Sequence, residues 1–120
     1  MKKLRKALQK DLYLAEMAVV PVKTKPQSFN ARIRNEDHNP PHVHLFHENN
    51  ELAGVFLITQ NTPTKGSDIL NYPGKKELDS KGKKIVCRFA NKENDETKVN
   101  WNEFKVGWRQ THPNEEVKFV

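Results

Sequence analysis

Cysteine is almost missing from this chain: Cys87 stands alone among 120 residues, which excludes an internal disulfide and fits a reducing compartment. No Cys-x-x-Cys pair is present, so the sulfur ligands of a common structural zinc site are lacking. The five glycines are scattered singly, and none belongs to a glycine-rich loop of the kind that cradles phosphates. No serine–histidine–aspartate set marks acyl transfer. No apolar run approaches the roughly 20 residues needed to span a bilayer. The opening MKKLRKALQKDLYLAEMAVV has the basic start of a signal peptide, but acidic and polar residues interrupt any apolar stretch, so a cytoplasmic protein without a membrane span is expected. Apolar residues are 35% and charged residues 30%, which is enough for one compact core and thus one domain over 1–120.

The charge that is there is unevenly placed. The net +6 lies wholly before residue 37, where nine lysines and arginines face three acidic residues, while the rest of the chain is balanced. A localised basic face is the usual footprint of a polyanionic partner, with nucleic acid first and an anionic membrane surface second. The plainer reading is a solvated helix face that keeps the protein soluble.

Hydrophobic periodicity organises the chain. Leu4, Ala7, Leu8, Leu12, Ala15 and Val19 recur on one face of a helix expected over 4–19, stopped by Pro21. VKTKPQ reads as a connector. FNARIR reads as a strand with Phe29, Ala31 and Ile33 on one side and Arg32 and Arg34 on the other. HVHLFH, a turn at ENNE and LAGVFLI make a β-hairpin, giving a core unit over 29–60. Residues 61–84 are rich in polar residues, proline and glycine and read as an irregular segment with one helical turn at KKELDSK. The last unit, 85–112, opens on KIVCRFA, an alternating strand with Ile85, Cys87 and Phe89 on one side and Val86 and Arg88 on the other. On that strand Cys87 is a packing residue and not a nucleophile. An acidic loop follows. Asn100 with Glu103 then resembles a capping box opening a helix whose Trp101, Phe104 and Trp108 share a core face, ended by His112-Pro113. The expected fold is therefore α+β: a small antiparallel sheet of three to four strands packed against an N-terminal and a C-terminal helix.

The feature that stands out is DHNPPHVHLFH, which holds four of the five histidines in residues 37–47. Proline fixes φ, offers no amide donor and drives the preceding residue to extended conformations, so Asn39-Pro40-Pro41 is a stiff lead-in to the strand; an X-Pro bond here is open to the cis form. Strand parity puts His42, His44 and Phe46 on one side and Val43, Leu45 and His47 on the other. With Val43 and Leu45 turned into the core, His42 and His44 project together from an exposed face, about 7 Å apart at Cα. Three readings compete. The pair could ligate a divalent metal, zinc or manganese, with Asp37, His38 or Glu48 as third ligand and a position left for water. It could act as a metal-free acid/base couple. Or the histidines could be structural, hydrogen-bonded to backbone around the proline turn.

Asp37-His38-Asn39-Pro40-Pro41-His42-Val43-His44 closely resembles the D-H-x-P-P-H-x-H signature of the small bacterial family catalogued as domain of unknown function 4160. Ile33-Arg34 before it, the LAGVFLI strand and the tryptophan-bearing last helix are similar in order. The close match covers about fifteen residues, and the longer N-terminal segment and the stretch from Asn61 to Lys84 depart from the family pattern. The resemblance implies a small stand-alone protein in a toxin–antitoxin setting, with an antitoxin-like protein as partner, and implies no particular reaction. Pro41-His42-Val43-His44 also resembles the histidine–hydrophobic–histidine strand of HUH endonucleases, which nick DNA with a metal and a tyrosine; Tyr13 would be that tyrosine, although the relaxase pattern sets its third histidine further upstream than His38.

Together these readings give an expected function: a small basic toxin-like protein acting on nucleic acid, RNA ahead of DNA. His42, His44 and His38 are the expected chemical centre, His42, His44 and Asp37 the expected metal ligands, and Lys6, Lys10, Arg32 and Arg34 the expected phosphate contacts. The alternative is a non-enzymatic binding module whose histidines stiffen a recognition loop.

Overall fold

The computed structural model describes residues 17–24, 27–92 and 99–120. In chain order it has strands β1 (Met17–Thr24), β2 (Gln27–Arg34), β3 (His42–His47) and β4 (Leu52–Leu57), a short 3-10 turn at Gly66–Asp68, and helices α1 (Ser80–Ala90) and α2 (Trp101–Thr111). The strands form one antiparallel sheet in sequential order, so the fold is a small α+β domain. No helix among the described residues is long and apolar enough to cross a membrane.

Alternation of small and branched apolar residues sets the inner face of the sheet. Ala18 pairs with Ile33, Val22 with Phe29, Ala31 with Leu45 and Val43 with Phe56, and all eight are buried. Over them close Ile85, Val86 and Phe89 from α1 and Trp101, Phe104 and Trp108 from α2 in one continuous core. The expected aromatic stripe of the last helix is thus core. Phe104 packs at 5.2 to 5.8 Å from the rings of Trp101, Phe56 and Phe89, and the Trp101 indole donates to the Thr59 carbonyl at 2.9 Å.

Several expectations are corrected here. Residues 4–16 of the expected N-terminal helix lie outside the described residues, and its last residues, 17–19, instead open β1. VKTKPQ is not a plain connector, because its first residues continue that strand. Pro21 interrupts nothing there, since β1 is an edge strand, where a missing amide donor is tolerated. KIVCRFA is helical, not extended: Gly82, Ile85, Val86, Cys87, Phe89 and Ala90 are buried, and all but Cys87 fall at the spacing of one helix face. The Asp79 carboxylate accepts from the Gly82 amide at 2.7 Å and caps that helix one turn earlier than the apolar run begins. Only Ser80 and Lys81 of KKELDSK are therefore helical. Cys87 is buried as a packing residue, and that burial pushes its thiol pKa up. Helix α2 starts where expected, but the Asn100 side chain donates to the Phe89 carbonyl at 3.1 Å, tying α1 to α2, and makes no cap of its own helix.

The hairpin is as read, with Asn50 in the left-handed region at φ 70° within its turn. The irregular segment after β4 returns along the sheet's other edge. Leu57 donates to Leu70, Tyr72 to Val55 and Val55 to Lys76, at 2.8 to 3.0 Å, so β4 is covered by residues 70–76. Leu78 then crosses so close to Gly54 that a Cβ there would lie 2.7 Å from the Leu78 Cα and backbone nitrogen. Gly54→Ala should therefore lower the unfolding free energy by about 1–3 kcal/mol in urea denaturation. A variant as stable as the parent would contradict this packing of the segment on β4.

Candidate metal centre

The site begins at the end of β2. The Asp37 amide donates back to the Arg34 carbonyl at 3.1 Å, and the Arg34 amide donates to Asp37 Oδ2 at 3.0 Å. This reciprocal turn folds the carboxylate back toward the sheet. The chain then passes a cis Asn39–Pro40 peptide and Pro41, whose carbonyl accepts from the Ile58 amide at 2.9 Å, and enters β3 at His42.

Parity holds: Val43 and Leu45 are fully buried in the core, and His42 and His44 lie together, with ring centroids 5.2 Å apart. Both turn to the same carboxylate. His42 Nε2 is 4.0 Å from Asp37 Oδ1, and His44 Nδ1 is 3.8 Å from Asp37 Oδ2. These separations are too long for hydrogen bonds. One ligand atom from each of Asp37, His42 and His44 lies within 4.8 Å of the other two. Ligands on one tetrahedral ion, each at about 2.1 Å, stand roughly 3.4 Å apart, so a small inward movement of three side chains would close the set.

The protonation pattern suits a metal. His42 Nδ1 is 2.9 Å from the Pro40 carbonyl, so it carries the proton and donates. Nε2 is then the ring nitrogen left facing Asp37. A ligating imidazole is usually oriented by such a hydrogen bond from its far nitrogen. The His44 pKa is lowered, first by burial and then by His42, Arg34 and Lys75, against an upward pull from Asp37. A neutral imidazole is the ligating form.

The other expected residues are distributed differently. His38 is exposed and outside the group, and Glu48 is exposed at the hairpin turn. His47 is exposed, 5.1 Å from the Phe29 ring. Arg32 is the register partner of His44 and so shares its side of the sheet, where it donates to Asn50 Oδ1 at 2.7 Å and lies 4.2 Å over the Phe46 ring. Arg34 is exposed, with Glu36 at 3.5 Å. Lys6 and Lys10, like Tyr13, lie outside the described residues. Sequence reasoning missed Tyr72, whose ring is 4.3 Å from that of His42, and Lys75, whose charge acts on His44. It also missed the fifth histidine, His112, which is buried beside Trp108. Its only signal was its place at the end of an aromatic helix face.

One expectation is overturned. His42 does not project from an exposed face: it is 5% exposed, enclosed by Tyr72 and Trp108, because the irregular segment and α2 close over the start of β3. Parity gives direction and cannot see what a distant segment covers. His42→Ala should consequently destabilise metal-free protein by roughly 2–4 kcal/mol, through the cavity and the stranded Pro40 carbonyl. His44→Ala, at a half-buried position, should cost under about 1 kcal/mol. Denaturation in the presence of chelator measures both, and equal costs would contradict the enclosure of His42.

No protein-family model, no curated protein and no solved structure matches this chain, so the likeness to the domain of unknown function 4160 signature rests on its own residues around Asp37–His44.

Proposed function

We propose that this protein is a divalent-metal-dependent enzyme acting on nucleic acid, RNA ahead of DNA, in which Asp37, His42 and His44 hold one ion. The observation that carries the reading is the convergence of three ligand atoms within 4.8 Å, with the His42 tautomer set by Pro40. Two histidines and one carboxylate leave coordination positions open, and zinc or manganese bound there would supply Lewis acidity and an activated water. Around the site the chain offers cations: Arg32 on the same side of the sheet, and Arg34 and Lys75 close enough to depress the His44 pKa. These suit a phosphodiester, whose negative charge they would hold against the ion; Lys6 and Lys10, outside the described residues, are further phosphate contacts expected from the sequence. The toxin–antitoxin setting, with an antitoxin-like partner, is what the resemblance implies.

A second reading has its own support. The burial of His42 between Tyr72 and Trp108, with its bond to Pro40, is also how a structural histidine is held in a non-enzymatic binding module. Cleavage of single-stranded RNA by protein purified without a histidine tag separates the two. Activity should vanish with chelator, return with Zn²⁺ or Mn²⁺, and fall at least about 100-fold in Asp37→Asn and His44→Ala. RNA binding should weaken steeply with salt in parent and variants alike. Cleavage indifferent to chelator and to Asp37→Asn would remove the metal, and salt-independent binding would remove nucleic acid.

A further inference from the structure

The far end of the chain reaches the metal loop through one side chain. His112 follows α2, is 3% exposed, and places Nε2 2.8 Å from the backbone carbonyl of Asp37, across 75 residues of sequence. Facing a carbonyl, Nε2 is the donor; Nδ1 lies 2.8 Å from the Thr111 hydroxyl oxygen, which itself donates to the Gly107 carbonyl at 2.9 Å, and 2.9 Å from the Trp108 carbonyl. The imidazole stacks on the Trp108 indole at 3.8 Å and 12°, and the same indole packs 5.5 Å from His42. Trp108 Nε1 is buried without a hydrogen-bond partner, so ring packing and not a hydrogen bond places this indole. A second strap lies beside the first: Asn39 Nδ2 donates to Glu115 Oε1 at 3.1 Å, while the Glu115 amide donates to the His112 carbonyl at 3.3 Å.

We infer that His112 is a positioning residue for the Asp37–His42–His44 centre, locking the Asp37 backbone from the end of α2 so that its carboxylate faces both imidazoles. This rests on the metal reading given above, although the geometry it explains exists without the ion. Arg34 holds Asp37 at its amide and at Oδ2, but that turn leaves the Asp37 carbonyl, and the peptide plane that leads on to His38, unheld. The His112 bond fixes that backbone at the carbonyl. With both points held, Oδ1 is left toward His42 and Oδ2 toward His44. Ring packing completes the link, because the Trp108 indole lies against both His112 and His42. Partners that orient ligands in this way typically change metal affinity about 10–100-fold when removed.

The test uses the full chain and three substitutions. His112→Phe keeps the ring and removes the donor; His112→Leu serves if that variant does not fold; His112→Gln keeps an N–H. Two quantities are read: zinc affinity by calorimetry, and hydrogen exchange in metal-free protein at the Arg34 amide, with the Leu57 amide as an internal reference in the sheet. In His112→Phe, zinc affinity should fall about 10–100-fold. Exchange at Arg34 should speed up while Leu57 stays protected, and His112→Gln should recover most of both. Unchanged zinc affinity with unchanged Arg34 exchange overturns the inference. So does a rise at Arg34 and Leu57 alike, which would make His112 a core residue only. If the parent protein binds no zinc, the metal reading fails, and the Arg34 exchange alone decides whether His112 positions Asp37.

Discussion

A carboxylate removed from water is costly unless other groups answer its charge, and the Asp37 side chain is only 11% exposed. What answers it here is one backbone amide at 3.0 Å and two imidazoles at 3.8 and 4.0 Å, beyond hydrogen-bond reach. That unfinished pairing shapes everything near it. The reciprocal Arg34–Asp37 turn brings the carboxylate in, the two prolines carry the chain around it, and β3 begins with its first and third residues aimed at it. On the proposed reading, a divalent cation would complete the set.

The fold is economical in how it encloses this point. The sheet gives direction through the pleat, α2 gives a floor through Trp108, and the irregular segment gives a wall by pairing along β4 and laying Tyr72 on His42. Two of these elements are remote in sequence from the histidines. His42 is consequently held as firmly as a core residue while keeping one nitrogen free of protein donors, and His44 beside it keeps an open side. On the proposed metal reading, His42 would fix the ion and His44 would border the side open to substrate.

How much of this was readable in the residues varied with the range of the interaction. The alternation of HVHLFH and FNARIR gave the sides correctly, since the pleat is local, and it brought His42 and His44 forward as a pair, with Asp37 only one of three candidate third ligands beside His38 and Glu48. Local patterning failed where one pattern suited two structures. KIVCRFA alternates well enough for a strand, and its helical face emerges only when Gly82 and the Asp79 cap are counted in the same period. Residues 17–19 continue a helical repeat yet begin MAVVPVKT, a valine-rich strand stabilised by pairing with β2. The burial of His42, the role of Tyr72 and the reach of His112 were not legible, because each depends on which distant segment the core brings alongside β3. His38 drew attention by proximity alone, and it faces solvent.

On the proposed function, one divalent ion sits between Asp37, His42 and His44. Crystals grown with Mn²⁺ or Zn²⁺ and measured at the metal's absorption edge test it most directly. The account predicts one anomalous peak bounded by an Asp37 carboxylate oxygen, His42 Nε2 and His44 Nδ1, with the His42 Nδ1–Pro40 bond retained. A crystal in which the ion lies elsewhere, and the Asp37 carboxylate is hydrogen-bonded directly to the imidazoles, would contradict it.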